Sequence, residues 1–302
     1  SISVNGRRRI KLSYDEVIFN VIAYTLAILA LVVTLYPLIY TVSASFSDPL
    51  EIVKGNVLLL PKKPTLMAYE TVAENKSMLS GYKNTIFYTV LGTLINVILT
   101  ISIAYPLSKK DFFGRNLITI LFTIPMFFSG GMIPSFLLIK NLKLYNTFWA
   151  LILPGAISMW NMVIMRTYFQ TSIPEEICES AYIDGCSNVG TLIKIVLPLS
   201  KPIISVMILF YGVDHWNSYF SALLYLKDRK LYPLSLVLRE ILLLGTGKER
   251  SGTEIVDNVS DLLLFESLKY AVILVSSVPM LLLYPFLQKY FVKGIMVGSL
   301  KG

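Results

Sequence analysis

The segment that decides the fold of this chain is Glu179-Ser180-Ala181-Tyr182-Ile183-Asp184-Gly185, followed by Ile195-Val196-Leu197-Pro198. Written as a spacing, it reads E-x-A-x3-G-x9-I-x-L-P. The segment is polar and lies between two long apolar stretches, residues 148–169 and 203–226. This arrangement predicts a loop of residues 172–200 that stands outside a membrane and joins two spans.

The first half of this loop predicts a short helix. Pro174 suits a helix start, because its φ is fixed at a helical value and the first turn needs no amide donor there. Glu175 and Glu176 follow it, where carboxylates stabilise the positive end of the helix dipole. Gly185 can adopt the left-handed conformation that ends helices, so we expect the helix to stop there.

The composition places the chain in a lipid bilayer. Charged residues make up only 15% of the 302 residues and hydrophobic residues 55%, whereas a soluble domain carries about 25% charge. A membrane span needs roughly 20 mostly apolar residues. We therefore predict an all-α membrane protein, a single transmembrane domain with six transmembrane helices. The stretches that meet the requirement are residues 17–44, 82–107, 117–139, 148–169, 203–226 and 270–291.

The basic residues predict which way the spans run. Arg7, Arg8, Arg9 and Lys11 precede the first span, so the positive-inside rule places the amino terminus in the cytoplasm. An even number of spans then places both termini there. With these four included, the 27 basic residues divide almost evenly between the two sides, but those outside lie mostly in two long connections, which contribute little to orientation. The loop of residues 172–200 is accordingly predicted to be cytoplasmic.

The net charge of +8 invites a nucleic-acid partner, but the basic residues flank the spans and form no stripe. Anionic membrane lipids are the simpler partner, and no nucleic acid is expected. Cys178 and Cys186 lie on the predicted cytoplasmic loop with no histidine nearby. Neither a metal site nor a disulfide is expected from them.

Two further features of the chain bear on its shape. Pro125 and Pro134 bracket Gly130-Gly131, so the third span is expected to break near its middle, as a packed kink or as part of a pathway. The outer connections are predicted to be loops. The first carries one short helix around residues 66–72, and the second, residues 227–269, is long enough to dock an external protein.

A polar patch, Asp214-His215-Trp216-Asn217-Ser218-Tyr219, interrupts the fifth span. A charged residue near a span centre costs roughly 2.5–3.5 kcal/mol, so such residues tend to face a cavity or a partner. Trp216 and Tyr219 offer flat faces for a sugar ring, and Asp214 and Asn217 can bond its hydroxyls. Hydrogen bonding between helices and an interfacial aromatic belt are the alternatives. Two more polar residues within spans, Asn96 and Asn161, could line the same pathway or bond neighbouring helices.

The spacing of the loop resembles the docking loop of permease subunits in bacterial ATP-binding cassette (ABC) importers. The family pattern is E-A-A-x3-G-x9-I-x-L-P, from which this chain departs only at Ser180. The resemblance implies a type I ABC importer permease fold, with a cytoplasmic coupling helix between spans four and five that fits a groove on an ATPase. The residues implied in docking to the ATPase are Glu175, Glu179, Ser180, Ala181, Asp184, Gly185, Leu197 and Pro198.

The carboxyl terminus carries a second resemblance. Gly294-Ile295-Met296-Val297-Gly298-Ser299-Leu300-Lys301-Gly302 is similar to the tail of maltose-type carbohydrate permeases, commonly G-x-x-x-G-A-V-K-G. That resemblance implies contact with the ATPase subunits by Gly298, Ser299, Leu300, Lys301 and Gly302. Carbohydrate permeases also look similar at Trp216-Asn217, which points to a sugar or oligosaccharide as the substrate.

The resemblance implies a passive transmembrane subunit in a bacterial inner (cytoplasmic) membrane, forming half of the pathway of an ATP-driven importer. Its implied partners are a second permease subunit, two ATP-binding subunits and an external solute-binding protein. No cofactor is expected on this chain, which has no G-x4-G-K-[ST] sequence, and ATP and Mg²⁺ are expected on the partner ATPase.

Two other classes of membrane protein agree less well with the sequence. An ion-coupled secondary transporter is the alternative, but it should show paired half-folds or several carboxylates within its spans, and only Asp214 qualifies. A membrane enzyme would need clustered acidic or histidine residues, and the sequence has a single histidine and scattered carboxylates. The chain is therefore not expected to be an enzyme.

Overall fold

A computed structural model of the chain describes residues 14–128, 130–244 and 265–282, together with residues 263 and 285. All regular secondary structure in these residues is helical. The helices, numbered in chain order, are α1 Tyr14–Ser45, α2 Pro49–Val53, α3 Met67–Glu74, α4 Lys76–Ser108, α5 Arg115–Phe127, α6 Met132–Asn141, α7 Trp149–Ile152, α8 Met159–Ser172, α9 Glu175–Ile183, α10 Asn188–Thr191, α11 Leu197–Leu199, α12 Lys201–Trp216, α13 Tyr219–Tyr225, α14 Leu234–Leu244 and α15 Phe265–Leu282. A π-helix, Leu192–Val196, and a 3-10 helix, Arg229–Leu231, complete the set.

The chain divides into two compact units, and the first contains the described parts of Ser1–Glu70 and Ile255–Leu274. Helix α1 buries only Ser43, Ala44 and Ser45 at its carboxyl end, and its apolar remainder is exposed, as expected of a helix in contact with lipid or with other protein. The small core of this unit is formed by Ala44, Ile52 and Val57.

The short helix predicted around residues 66–72 is present as α3. Helix α2 was not predicted. It begins at Pro49, and the carboxylate of the preceding Asp48 caps it by accepting a hydrogen bond from the amide of Leu50. Aspartate followed by proline is a helix-start signal that could have been recognised from the sequence.

The second unit contains the described parts of Thr71–Glu254 and Val275–Gly302, and it is built around α4. Helices α8, α12 and α14 all pack against this long helix. Met162, Met165 and Met207 are completely buried in its main core, where their flexible side chains fill the space between α4, α8 and α12.

Three of the predicted spans are not continuous helices. The break expected in the third span is confirmed, since α5 ends at Phe127 and α6 begins at Met132. The fourth predicted span, residues 148–169, is also divided, because α7 ends at Ile152 and α8 begins at Met159. The fifth span also divides, because α12 ends at Trp216 and α13 begins at Tyr219. Pro154 explains the break in the fourth span, since it lacks an amide donor and its ring clashes with a helical turn.

The described residues contain three single helices that are long and apolar enough to cross a membrane: α1, α4 and α15. The number rises to five if each of two bent helix pairs, α5 with α6 and residues 188–199 with α12, counts as one span. The sixth predicted span, residues 270–291, begins earlier than expected, at Phe265, and its predicted end lies outside the described residues.

The second outer connection is not entirely loop. Its apolar part forms α14, which lies against α4 and buries Leu234, Leu236 and Val237. The amide of Leu234 donates a hydrogen bond of 2.7 Å to the buried hydroxyl of Thr85 on α4. A helix of 11 residues is too short to cross the bilayer alone, so α14 belongs to the packed body of the second unit.

Candidate docking loop and translocation site

Helix α9 matches the short helix that the sequence predicts between Pro174 and Gly185. It follows Pro174, whose φ is −59°, and its last residue is Ile183. Gly185 then takes a φ of +77°, a left-handed conformation that a residue with a Cβ adopts only at a cost. The start and stop chemistry of the helix therefore acts as the sequence indicated.

Most of the predicted docking residues are exposed: Glu175, Glu179, Ser180, Asp184, Gly185 and Pro198. Leu197 is half-buried. Ala181 differs from the expectation that it lies on the outer surface of the helix. Only 6% of its surface is exposed, and its carbonyl accepts a hydrogen bond of 2.9 Å from the amide of Cys186. The following loop residues fold back over this side of α9, so Ala181 packs within its own chain.

The structure adds two residues to this surface that the sequence analysis missed. The side chains of Tyr182 and Ile183 are 76% and 83% exposed, at the carboxyl end of α9. Together with Glu179 they occupy positions i, i+3 and i+4, which lie on one face of a helix. That spacing could have been recognised, but both residues occupy positions that the motif leaves unspecified.

The second half of the loop turns the chain toward the fifth span. The π-helix Leu192–Val196 leads into α11, and residues 188–199 are bent by 83° from the axis of α12. Val196 is buried on this path, whereas Ile193 remains 58% exposed. The predicted re-entry at Pro198 therefore coincides with a real change of direction between α11 and α12.

An ion pair joins the start of α9 to the end of α4. Lys110 Nζ lies 2.8 Å from Glu175 Oε2, and both side chains are more than half exposed. The hydrogen bond from Lys110 holds the pKa of the Glu175 carboxyl below its usual value, and the same bond raises the pKa of the Lys110 ammonium. The pair links the start of α9 to the segment that follows α4 at neutral pH, although an exposed pair adds little to stability.

The polar patch of the fifth span lies beside a cavity. Trp216 and Asn217 line a space of about 240 Å³ with Leu238, Ser276, Ser277 and Met280. Trp216 Nε1 donates a hydrogen bond of 3.3 Å to the carbonyl of Ser276, which fixes the ring at the edge of the cavity. Ser235 also lines it, and its buried hydroxyl has no hydrogen-bond partner among the described residues.

The other predicted pathway residues lie elsewhere. Asp214 is exposed, although the next residue along α12, His215, is buried. Tyr219 opens α13 and lies 5.9 Å below the guanidinium of Arg239, a cation–π contact. Asn161 is buried near the start of α8.

Asn96 is held in a hydrogen-bonded network between helices. Its Nδ2 donates 2.7 Å to the carbonyl of Gly155, in the break between α7 and α8. Its Oδ1 lies 2.7 Å from His215 Nε2 and, as a carbonyl oxygen, can only accept, so the imidazole donates. The network satisfies a backbone carbonyl that the helix break leaves free.

A second link continues this network one turn further along α4. Thr100 Oγ1 and the hydroxyl of Tyr211 are 2.7 Å apart, and the same hydroxyl accepts a hydrogen bond from the amide of Ser158. Asn96 and Thr100 on α4 thus face Tyr211 and His215 on α12, with the break of the fourth span between them. Helices α4, α8 and α12 are fastened together by these bonds.

The predicted tail residues Gly298, Ser299, Leu300, Lys301 and Gly302 lie outside the described residues.

Comparison with known proteins identifies the class of the chain. Residues 79–297 match the family described as "Binding-protein-dependent transport system inner membrane component". The protein LplC of Bacillus subtilis is 42% identical over 89% of this chain and 90% of its own length. The polygalacturonan/rhamnogalacturonan transport system permease protein YtcP of the same organism is 39% identical, over 94% of this chain and 99% of its own length.

A solved structure agrees with these sequence matches. The fold superimposes with a TM-score of 0.85 on a chain from the crystal structure of a bacterial ABC transporter involved in the import of the acidic polysaccharide alginate. The two chains are 31% identical, and the match covers 93% of this chain and 99% of the other.

Proposed function

This chain belongs to the family of inner membrane components of binding-protein-dependent transport systems, and we propose that it forms half of the pathway of an ATP-driven carbohydrate importer. It is a permease subunit and not itself an enzyme. In the proposed assembly it crosses the membrane six times, with both termini in the cytoplasm. ATP and Mg²⁺ bind to the partner ATPase subunits, and a second permease supplies the other half of the pathway.

The observation that carries this proposal is the exposed surface of α9. Glu179, Tyr182 and Ile183 present a carboxylate and two apolar side chains on one face of a helix outside the predicted spans. Large apolar side chains exposed to water favour association with a protein partner. The E-x-A-x3-G spacing of the same helix matches the docking loop of ABC permeases, so the partner proposed for it is the ATPase.

The proposed coupling follows from how α9 is attached. The ion pair of Lys110 with Glu175 ties its start to α4, and the loop that follows α9 leads through α11 into α12. A movement of the docked ATPase would therefore act on both helices. Because α4 and α12 are fastened by the bonds of Asn96 and Tyr211, they would move together and change the access of the pathway.

The substrate proposed is an oligosaccharide. The cavity beside Trp216 and Asn217 offers an aromatic side chain and several hydroxyl groups, which suit the apolar face and the hydroxyls of a sugar ring. The name of YtcP refers to polygalacturonan and rhamnogalacturonan, and the solved transporter imports alginate. Polygalacturonan and alginate are both acidic polysaccharides. Oligomers of uronic acids are therefore the first substrates to be tested, beside neutral oligosaccharides.

The docking surface is tested by truncating its apolar side chains. We expect the double variant Tyr182→Ala/Ile183→Ala to lose ATPase from the purified complex. Anchors of an interface contribute about 2 kcal/mol or more each, which corresponds to at least a thirtyfold loss of affinity. Both side chains are largely exposed in this chain, so its own folding should not suffer.

Leu142→Ala is the matched control, because Leu142 is 58% exposed and lies at the end of α6 outside the loop. The measurement is the amount of ATPase that co-purifies with the tagged permease, followed by ATP hydrolysis in the presence of the binding protein and the oligosaccharide panel. Unchanged co-purification and hydrolysis in the double variant would refute the docking role of α9.

A further inference from the structure

A second cavity of about 410 Å³ lies where α4, α5, α8 and α9 come together. Its walls are partly apolar, formed by Tyr105, Phe169 and Ile173. The lining also contains three basic residues, Lys109, Lys110 and Arg115. This amphiphilic lining differs from the neutral lining of the cavity beside Trp216.

The residues that line this cavity carry more positive than negative charge. The single carboxylate in its lining is Glu175, which is already paired with Lys110. Lys109 lies over the ring of Tyr105, with Nζ 5.4 Å from the ring centroid, and forms no ion pair with a carboxylate of the described residues. Arg115 Nε is buried and has no hydrogen-bond partner among the described residues. A buried guanidinium donor without an acceptor is unfavourable, so an acceptor from outside this chain is indicated.

The surroundings indicate where that acceptor comes from. The basic residues begin directly after the apolar helix α4 ends at Ser108. The connection to α5 also carries Phe112 and Phe113, whose side chains are 40% and 97% exposed. Basic side chains beside exposed aromatic rings, at the end of a membrane span, are typical of the interface with lipid headgroups.

We propose that this cavity binds the phosphate group of an anionic phospholipid. Arg115 and Lys109 supply the donors for the phosphate oxygens, since a guanidinium and an ammonium both form charge-assisted hydrogen bonds with phosphate. The apolar wall of Tyr105, Phe169 and Ile173 accommodates the glycerol and the upper part of an acyl chain. The proposal rests on the proposed function in one respect, the position of Ser108 at the cytoplasmic surface of the membrane.

The position of the site gives it a consequence for transport. Glu175 lines the same cavity and begins α9, so a phosphate bound beside it would compete with its carboxylate for Lys110 and weaken the ion pair that attaches α9 to α4. Anionic lipid would then loosen the attachment of α9 to α4.

The test is the lipid that the purified complex retains from bilayer nanodiscs of phosphatidylcholine with a minor fraction of phosphatidylglycerol. We expect the wild-type complex to be enriched in phosphatidylglycerol over the bulk bilayer, as measured by lipid mass spectrometry. Each basic residue near an anionic surface contributes about fivefold in affinity. The variant Lys109→Gln/Arg115→Gln should therefore bind phosphatidylglycerol up to about thirtyfold more weakly than the wild type. Lys201→Gln is the matched control, since Lys201 is exposed at the start of α12 and does not line the cavity.

The conservative variant Arg115→Lys, which keeps the charge, should retain most of the enrichment and guards against a general folding defect. A second arm adds inorganic phosphate to nanodiscs of pure phosphatidylcholine and measures thermal stability. Stabilisation by phosphatidylglycerol alone supports the lipid site, whereas equal stabilisation by inorganic phosphate would overturn its assignment to lipid. Equal enrichment in the wild type and in Lys109→Gln/Arg115→Gln would overturn the site itself. Retention is measured without transport or ATP hydrolysis, so failure here leaves the proposed function standing.

Discussion

The network around Asn96 leads to a quantitative prediction about the second unit. Asn96 is 1% exposed and makes two hydrogen bonds of 2.7 Å, to the carbonyl of Gly155 and to the imidazole of His215. Hydrogen bonds between helices in membrane proteins contribute about 0.6 kcal/mol each on average, and about 1.7 kcal/mol at most. Asn96→Ala should therefore lower the free energy of unfolding by about 1–3 kcal/mol, before any loss of packing is added.

A double-mutant cycle separates the bond between Asn96 and His215 from these packing effects. The variants Asn96→Ala and His215→Ala and their combination are unfolded in detergent micelles by titration with a denaturing detergent. We expect a coupling free energy of about 0.6–1.7 kcal/mol, because the double variant loses the shared bond only once.

The control cycle pairs His215→Ala with Asn84→Ala. Asn84 lies on the same helix, but its Nδ2 donates to the carbonyls of Lys230 and Tyr232 instead. These two sites are separate, so their effects should add within about 0.5 kcal/mol. Additive effects in the cycle of Asn96 with His215 would refute the reasoning that this bond fastens α4 to α12.

Three further predictions concern the same unit. Gly92→Ala should destabilise the protein strongly, since its Cβ would overlap the imidazole of His215, and the loss should be relieved in the background of His215→Ala, measured by the same unfolding titration. Trp216→Ala should lower oligosaccharide-stimulated ATP hydrolysis while leaving co-purification of the ATPase unchanged, whereas equal stimulation would remove Trp216 from the pathway. The ion pair of Glu175 with Lys110 should persist across neutral pH. The pKa of Glu175 is lowered, so its contribution is lost only as the pH falls through that pKa, and the pKa of Lys110 is raised, so its contribution is lost only as the pH rises through that pKa. Thermal denaturation of the wild type and of Glu175→Gln should converge in acid, and a constant difference down to low pH would contradict this.

Local chemistry made several elements predictable from the sequence. Helices α1 and α4 follow from long apolar runs, and their bounds lie within a few residues of those expected, except that α4 begins earlier, at Lys76. Helix α9 follows from Pro174 and Gly185, which act on the backbone within one or two residues of their own position. Such signals need no knowledge of the rest of the fold.

The features that the sequence analysis missed depend on distant parts of the chain. Pro154 was visible as a potential helix breaker, but the hydropathy of residues 148–169 is continuous through it. The break is tolerated because Asn96, on another helix, bonds to the carbonyl of Gly155. Helix α14 likewise depends on Thr85 and the surface of α4, which no pattern within residues 227–269 reveals.

Some of the predicted docking residues are exposed as expected, and one residue of the same motif is buried. Glu179 and Gly185 are exposed as expected, whereas Ala181 faces its own chain because Cys186 returns to bond to it. Tyr182 and Ile183 are the most exposed apolar residues of α9. The motif leaves both positions unspecified, so only the helix geometry identifies them as part of the surface.

The most direct test of the proposed function is uptake by the complete complex in proteoliposomes. The complex, with its ATPase subunits and binding protein, is supplied with the labelled oligosaccharide that best stimulates ATP hydrolysis. We predict uptake that requires ATP and Mg²⁺ on the side of the ATPase. We also predict that this uptake is lost in Gly185→Asp, because a side chain disfavours the φ of +77° at the end of α9. Uptake by the chain without ATP, driven by an ion gradient and unaffected by Gly185→Asp, would contradict the account and indicate a secondary transporter.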